Sequence, residues 1–165
     1  MQLPIFSTLS LLMAMALFML GNGPLPTMLG IRLAETGAPV WMIGIVMAQY
    51  YLGFVVGSLY GYRLIHKVGH IRAFVAFGST MSAVTLAHAF IVDPLIWAAF
   101  RFIVGICAIG MFMCIESWLN FRANNSNRGQ TFALYVIVVY LFSGLGQFLI
   151  QLPDSSGFTI YAVIS

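Results

Sequence analysis

The feature that most constrains this chain is the length of its uncharged, apolar stretches. No aspartate, glutamate, lysine or arginine precedes Arg32, and none occurs within residues 36–62 or 130–152. A helix needs about 20 mainly apolar residues to cross the ~30 Å hydrocarbon core of a bilayer, because each residue adds about 1.5 Å. The pattern predicts five membrane-spanning helices, at about residues 5–31, 38–62, 73–92, 95–119 and 130–152.

Composition supports this interpretation. The 165 residues are 61% hydrophobic and only 7% charged, whereas a soluble domain carries roughly 25% charged residues. Such a chain cannot cover a globular surface with polar groups, which excludes soluble enzymes, nucleic-acid-binding proteins and disordered linkers. Its two cysteines lie within one apolar run and provide no disulfide framework. We therefore predict an all-α integral membrane protein embedded in the lipid bilayer, with no nucleic-acid partner.

The end of the sequence favours a sixth helix. The last eight residues, FTIYAVIS, are apolar but too few to cross a bilayer. We interpret them as the start of a helix that continues beyond the chain, and expect residues 1–165 to be the truncated N-terminal part of a longer protein. The alternative is a complete five-span protein with a short apolar tail.

Charge placement predicts the orientation. Five of the seven basic residues lie between spans 2 and 3 or between spans 4 and 5, and three of the four acids lie in the opposite loops. The basic set is Arg63, Lys67, Arg72, Arg122 and Arg128; the acidic set is Glu35, Asp93 and Asp154. Lysine and arginine concentrate in cytoplasmic loops. We therefore expect a multi-pass protein of the inner cell membrane with a cytoplasmic N-terminus.

Seven polar residues within the spans are candidates for a solute pathway. Arg101 lies inside span 4, where an ionised side chain costs about 2.5–3.5 kcal/mol, so it faces a water-filled cavity or a partner unless it extends to the outer surface. Asn22 begins the proline-containing interruption of span 1, which either lines a cavity or forms a simple kink. The weaker candidates, for which interhelical hydrogen bonds are the ordinary explanation, are Gln49, Tyr50, Tyr51, Tyr140 and Gln147.

Two further features concern helix packing and charge pairing. Gly53, Gly57 and Gly61 recur every four residues, so they share one helix face and allow another helix to approach closely. Glu116, at the cytoplasmic end of span 4, can pair with Arg122 or Arg128 across the following loop. That pair is either part of a gate or an ordinary interfacial ion pair.

Signatures of catalysis are missing from the sequence. It contains no HExxH, no GxSxG, no P-loop and no CxxC motif. We predict that the protein is not an enzyme and holds no metal and no cofactor.

The loop GYRLIHKVGHIR resembles a signature of the major facilitator superfamily (MFS), Asp-Arg/Lys-x-Gly followed by basic residues. Lys67, Gly69 and Arg72 match this signature. His66 occupies the usual aspartate position, and Gly61 stands five residues before it where four is usual. These two departures put the usual aspartate-centred gate contact in doubt.

Span 4 and the loop after it extend the resemblance. Arg101 and Gly105 are similar to the superfamily's Arg-x-x-x-Gly motif, with Val104 where glutamine is common, and Glu116 followed by Arg128-Gly129 resembles its cytoplasmic acid and Arg-Gly pair. The stretches RFIVGICA, CIESWL and SNRGQ resemble the YcaD-like permease branch, whose substrate is not settled. The Gly-Pro antiporter signature of span 5 is absent, so drug-antiporter chemistry gains no support.

The resemblance implies a twelve-helix secondary transporter whose two six-helix halves move a small solute by alternating access. This chain is then the N-terminal half, its partners being the missing C-terminal half, a small-molecule substrate and a coupling proton. Spans 1, 2, 4 and 5 are expected to line the cavity, and span 3 to face lipid. The cytoplasmic gate candidates are Gly61, His66, Lys67, Gly69, Arg72, Glu116 and Arg128. The alternative is a non-transporting five-span structural or assembly subunit.

Overall fold

The structure, a computed structural model, describes residues 5–123, 127–151 and 158–165. Within these ranges the chain is helical and contains no strand, as predicted. The helices are α1 Ile5–Asn22, α2 Leu25–Glu35, α3 Val40–Val68, α4 His70–Phe90, α5 Pro94–Arg122, α6 Arg128–Gly146 and α7 Phe158–Ile164, with a 3₁₀ turn at Gln147–Gln151 after α6.

Five helical segments are long and apolar enough to cross a membrane. They are Leu9–Glu35, Val40–Val68, His70–Phe90, Pro94–Arg122 and Arg128–Gln151. The number and type of the predicted spans are therefore confirmed, and the apolar segment at the end of the chain forms the short helix α7. Asp154, used above for orientation, lies outside the described residues.

Local sequence explains where these helices begin and end. Asp93 caps α5 by accepting hydrogen bonds from the backbone amides of Leu95 and Ile96, at 2.9 and 3.0 Å, and Pro94 occupies a position where no amide proton is needed. Gly69 separates α3 from α4 with a φ of +88°, a backbone conformation that favours glycine. Charged residues at the ends of α3 and α5 extend both helices beyond the predicted apolar spans, to Val68 and Arg122.

The first span is two helices rather than one. Gly23 and Pro24 separate α1 from α2, and Pro24 has no amide proton to continue the hydrogen-bond ladder of α1. The Gly23 amide still donates to the Met19 carbonyl at 2.9 Å, while the Pro24 carbonyl accepts from Met28 at 3.0 Å and so starts α2. These two hydrogen bonds satisfy one amide at the end of α1 and one carbonyl at the start of α2.

The closest helix pair is α3 with α5. A Cβ added to Gly57 would lie 3.0 Å from the Cα of Ile106, and one added to Gly105 would lie 2.9 Å from the Phe54 amide nitrogen. Gly53 faces the backbone of Phe102 even more closely. These contacts confirm that the glycine-bearing face of α3 receives another helix.

The remaining helices surround this pair. α6 packs on the break between α1 and α2, where Gly146 approaches the backbone of Leu20. α4 covers the other side of α5, with the ring of Phe77 against Gly110. The core follows the inward face of α5, whose buried residues include both cysteines, free and packed among apolar side chains.

Candidate functional site

A polar cavity of about 390 Å³ lies between the break of the first span and helices α3, α5 and α6. Its polar lining consists of Asn22, Thr27, Tyr50, Tyr51, Arg101 and Ser143. Of the described residues that line it, none belongs to α4. This arrangement agrees with the expectation that spans 1, 2, 4 and 5 form the cavity.

Arg101 is the only charged residue among the described residues that line the cavity, and it has little compensation for its burial. The side chain is 2% exposed, and its Cζ lies 4.5 Å from the centroid of the Tyr50 ring. Its Nε and Nη1 atoms have no hydrogen-bond partner, and no carboxylate pairs with it among the described residues. A buried cation without an acidic partner is expensive. This combination makes the guanidinium a candidate binding group.

Asn22 contributes a second group without a partner. It is the last residue of α1, and its Oδ1 is buried with no hydrogen-bond partner. Asn22 and Arg101, each with an unsatisfied polar atom, therefore line the same cavity together with Tyr50.

Gln147 supports the site rather than lining it. Its Nε2 donates a 2.8 Å hydrogen bond to the carbonyl oxygen of Gly23, in the break between α1 and α2. A broken helix leaves carbonyl groups without intrahelical partners, and an interhelical donor can satisfy them. Gln147 therefore fixes the 3₁₀ turn after α6 to the break that carries Asn22.

Two pathway candidates lie elsewhere. Gln49 lines a separate groove of about 400 Å³ with apolar residues of α3 and α5. Tyr140 is 75% exposed on α6. The structure does not bring either residue into the cavity around Arg101.

Two polar lining residues were not among the pathway candidates selected from the sequence: Thr27 and Ser143. Tyr50 and Tyr51, which were among the weaker candidates, do line the cavity. Thr27 follows the proline-containing break, which is a weak signal. Ser143 had none, since small polar residues are common in spanning helices.

At the other end of the bundle, Glu116 has a partner that the sequence did not suggest. Its Oε1 accepts a 3.0 Å hydrogen bond from the hydroxyl of Tyr135 on α6. Arg128 is exposed and forms no ion pair with Glu116 within the described ranges. The contact between α5 and α6 is therefore made here by a carboxylate and a phenol.

The other gate candidates lie around the turn between α3 and α4. Gly61 is buried against α5, where an added Cβ would lie 3.1 Å from the Sδ of Met113. His66 is exposed, with its ring centroid 4.3 Å from that of Tyr62. Gly69 forms the turn, and Lys67 and Arg72 on either side of it are exposed.

His88 is buried among aromatic side chains. The Nδ1 of His88 lies 2.8 Å from the carbonyl oxygen of Val84, and the ring packs between Trp97 and Phe100. In the part of the chain that the structure describes, no three His, Cys, Asp or Glu side chains are grouped so as to bind a metal ion.

Five apolar helical segments, a broken first span and a cavity between four of these segments are features of a multi-pass membrane protein. The chain is 31% identical over 141 residues to proteins of Salmonella newport (strain SL254) and Salmonella typhimurium (strain LT2). A protein of Salmonella arizonae matches at the same identity. All three are named uncharacterized MFS-type transporter YcaD.

Each match covers 86% of this chain and 37% of the relative. The predicted resemblance is confirmed: over most of its length this chain is homologous to MFS-type transporters of the YcaD kind. The chain spans little more than a third of the length of these relatives. No family model and no solved structure matches it.

Proposed function

We propose that the chain is the N-terminal part of a secondary active transporter that moves a small anionic solute by alternating access, with Arg101 in its solute site. The observation that carries the proposal is the buried guanidinium of Arg101, which lines a cavity of about 390 Å³ and leaves two nitrogen atoms without partners. Ligand sites are concave, of a few hundred Å³, and contain a few placed polar groups. The homology to MFS-type transporters supports the same function.

An anion is the ligand that this cavity would favour. Among the described residues that line it there is no aspartate or glutamate, so none of them can neutralise Arg101. A carboxylate or phosphate group accepts charge-assisted hydrogen bonds from a guanidinium. Because Arg101 is so little exposed, small rotations of Tyr50 and Asn22 would admit the solute to its N–H groups.

A passive structural subunit is less well supported. A bundle selected only for packing would gain by replacing Arg101 with an apolar residue of similar size, because the buried charge has no acidic partner. The same bundle would have no use for a polar cavity beside that charge. No described group of residues suggests catalysis, and we propose that the protein is not an enzyme.

Alternating access requires closure at the ends of the bundle. We propose that the turn between α3 and α4 and the Glu116–Tyr135 contact form part of the cytoplasmic gate. The basic residues of the two loops at that end support a location in the inner membrane with a cytoplasmic N-terminus. Single cysteines at Arg63 and Arg128 should resist an impermeant thiol reagent applied to intact cells; ready labelling would invert this orientation.

Transport is tested with the full-length protein, meaning this chain with whatever its reading frame encodes beside it, in proteoliposomes. The solutes are isotopically labelled small carboxylates, including propionate and lactate. We expect saturable uptake of at least one of them, abolished in Arg101→Gln, and no uptake by the 165-residue chain alone. Uptake no faster than in empty vesicles across the panel would contradict the assignment of an anionic solute. Saturable uptake by the 165-residue chain alone would contradict its assignment as part of a larger carrier.

A further inference from the structure

We infer, on the basis of the proposed function, that the Arg101 cavity selects small hydroxycarboxylates over plain carboxylates. The juxtaposition that carries this inference is the pair of unsatisfied groups in one cavity lining. Arg101 offers donors, and the Oδ1 of Asn22 offers an acceptor. A ligand that satisfies both must carry an anionic group and a hydrogen-bond donor close to it.

The anionic end is positioned by Arg101. Its guanidinium carbon lies over the ring of Tyr50, 4.5 Å from the ring centroid. The N–H donors of a guanidinium form a fixed, planar fork. An anion would therefore bind Arg101 through Nε and Nη1, the two nitrogen atoms that have no hydrogen-bond partner.

The second group must be a donor because of what Asn22 lacks. A side-chain carbonyl oxygen only accepts hydrogen bonds, and the Oδ1 of Asn22 has no donor around it. A plain carboxylate has no proton to offer and leaves this atom unsatisfied. Satisfying one buried polar group changes affinity by roughly tenfold or more.

A neutral hydroxyl fits this position better than an ammonium group. The described part of the lining contains no carboxylate, so an ammonium group there would face the positive Arg101 without a counter-charge. The wall instead presents the hydroxyl groups of Thr27, Tyr51 and Ser143, which can donate to or accept from further hydroxyls of a ligand. The chemistry of the lining therefore matches an acid that carries hydroxyl groups.

Three three-carbon probes separate these features: lactate, propionate and alanine differ only in the group beside the carboxylate. Their apparent affinities are measured from the ligand-dependent thermal stabilisation of the purified full-length protein, with both enantiomers of lactate and alanine. We expect one enantiomer of lactate to bind about tenfold or more tightly than propionate, and alanine to bind no better than propionate. In Asn22→Leu, lactate and propionate should bind alike, while Gln49→Leu, a control amide in a separate groove, should keep the preference.

The outcomes separate this inference from the function on which it rests. Equal affinities for lactate and propionate in the unmodified protein would overturn the hydroxyl selectivity and leave the anion site intact. Alanine binding as tightly as lactate would overturn the preference for a neutral donor. Binding of none of the three probes would overturn the anion site itself. The comparison of probes needs no variant, so misfolding of Asn22→Leu cannot obscure the result.

Discussion

Two arginines of this protein occupy similar surroundings and invite a comparison. The Cζ of Arg101 lies 4.5 Å from the ring centroid of Tyr50, and that of Arg32 lies 5.3 Å from Tyr161 and 6.0 Å from Trp97. The Nη1 atom of each is buried without a hydrogen-bond partner. Aromatic contact and an unsatisfied nitrogen therefore do not distinguish a solute site from a packing site.

Arg101 and Arg32 differ in their positions along their helices, and Arg101 lines the cavity of about 390 Å³ whereas Arg32 does not. Arg32 lies in the last turn of α2, where a positive charge interacts favourably with the helix dipole. Arg101 lies in the middle of the first half of α5, lacks that stabilisation and lines the polar cavity. A buried charged side chain therefore indicates function when no helix dipole or ion pair stabilises its charge and the side chain also lines a cavity.

The sharpest test exchanges each arginine for glutamine. Arg101→Gln should lower the affinity for lactate by about 10- to 100-fold, since a hydrogen bond to a charged group contributes about 1.5–3 kcal/mol. Arg32→Gln should leave that affinity within about twofold and change only the melting temperature, as expected for a group that touches no ligand. Ligand-dependent thermal stabilisation measures both. Equal losses in the two variants would remove the distinction between the two regions.

The next test loosens the contact that places Tyr50 beside Arg101. Gly105→Ala puts a Cβ against the backbone of Tyr50 and Phe54, and overpacking of this kind destabilises by about 1–3 kcal/mol. Gly44→Ala on α3 has nothing within 4 Å of the added Cβ and should be neutral or stabilising. Unfolding of the purified protein in detergent measures the difference. A Gly105→Ala variant as stable as Gly44→Ala would show that α3 and α5 are not held this closely.

Removing an aromatic ring from each region should have a smaller effect. Tyr50→Leu deletes the cation–π contact of Arg101, and Tyr161→Leu deletes one of those of Arg32; each such contact contributes about 0.5–2 kcal/mol. Both variants should melt at lower temperature, and only Tyr50→Leu should also weaken lactate binding, by a few-fold. Weaker binding in Tyr161→Leu would place Arg32 in the solute pathway.

A third arginine gives the smallest expected effect. Arg128 is exposed and unpaired with Glu116, so Arg128→Gln should change stability by no more than about 0.5 kcal/mol. Tyr135→Phe removes the hydrogen bond to Glu116 and should destabilise by about 1.5–3 kcal/mol. Thermal unfolding of the two variants compares them. If Arg128→Gln destabilises as much as Tyr135→Phe, Arg128 has a partner in the resting protein.

The five spans, the glycine face of α3 and the candidate role of Arg101 could be predicted from the sequence, because each depends on local composition or on spacing along one helix. Sequence reasoning did not identify Thr27 and Ser143 as lining residues, and two of its pathway candidates, Tyr140 and Gln49, do not line this cavity. In a soluble helix the contrast between apolar and polar faces shows which side is buried. In a membrane, lipid and protein interior are both apolar, so this contrast is weak and the rotation of each helix cannot be read from its sequence.

The role of Gln147 depends on contacts that no local pattern contains. Its hydrogen bond to Gly23 joins residues 124 positions apart and exists only because the 3₁₀ turn after α6 packs on the break of the first span. The partner of Glu116 is likewise chosen by the packing of α6 on α5. Polar residues on spanning helices can be found from sequence, but their partners require the arrangement of the bundle.

The central claim, that Arg101 and not Arg32 binds the solute, is tested most directly by nuclear magnetic resonance. The full-length protein is labelled with ¹⁵N-arginine in detergent micelles, and the Nε–H signals are assigned from the Arg101→Gln and Arg32→Gln variants. On titration with lactate, we expect the chemical shift of the Arg101 Nε–H signal to change saturably, while that of Arg32 does not change. An unmoved Arg101 signal, or equal shifts of both arginines, would contradict the claim.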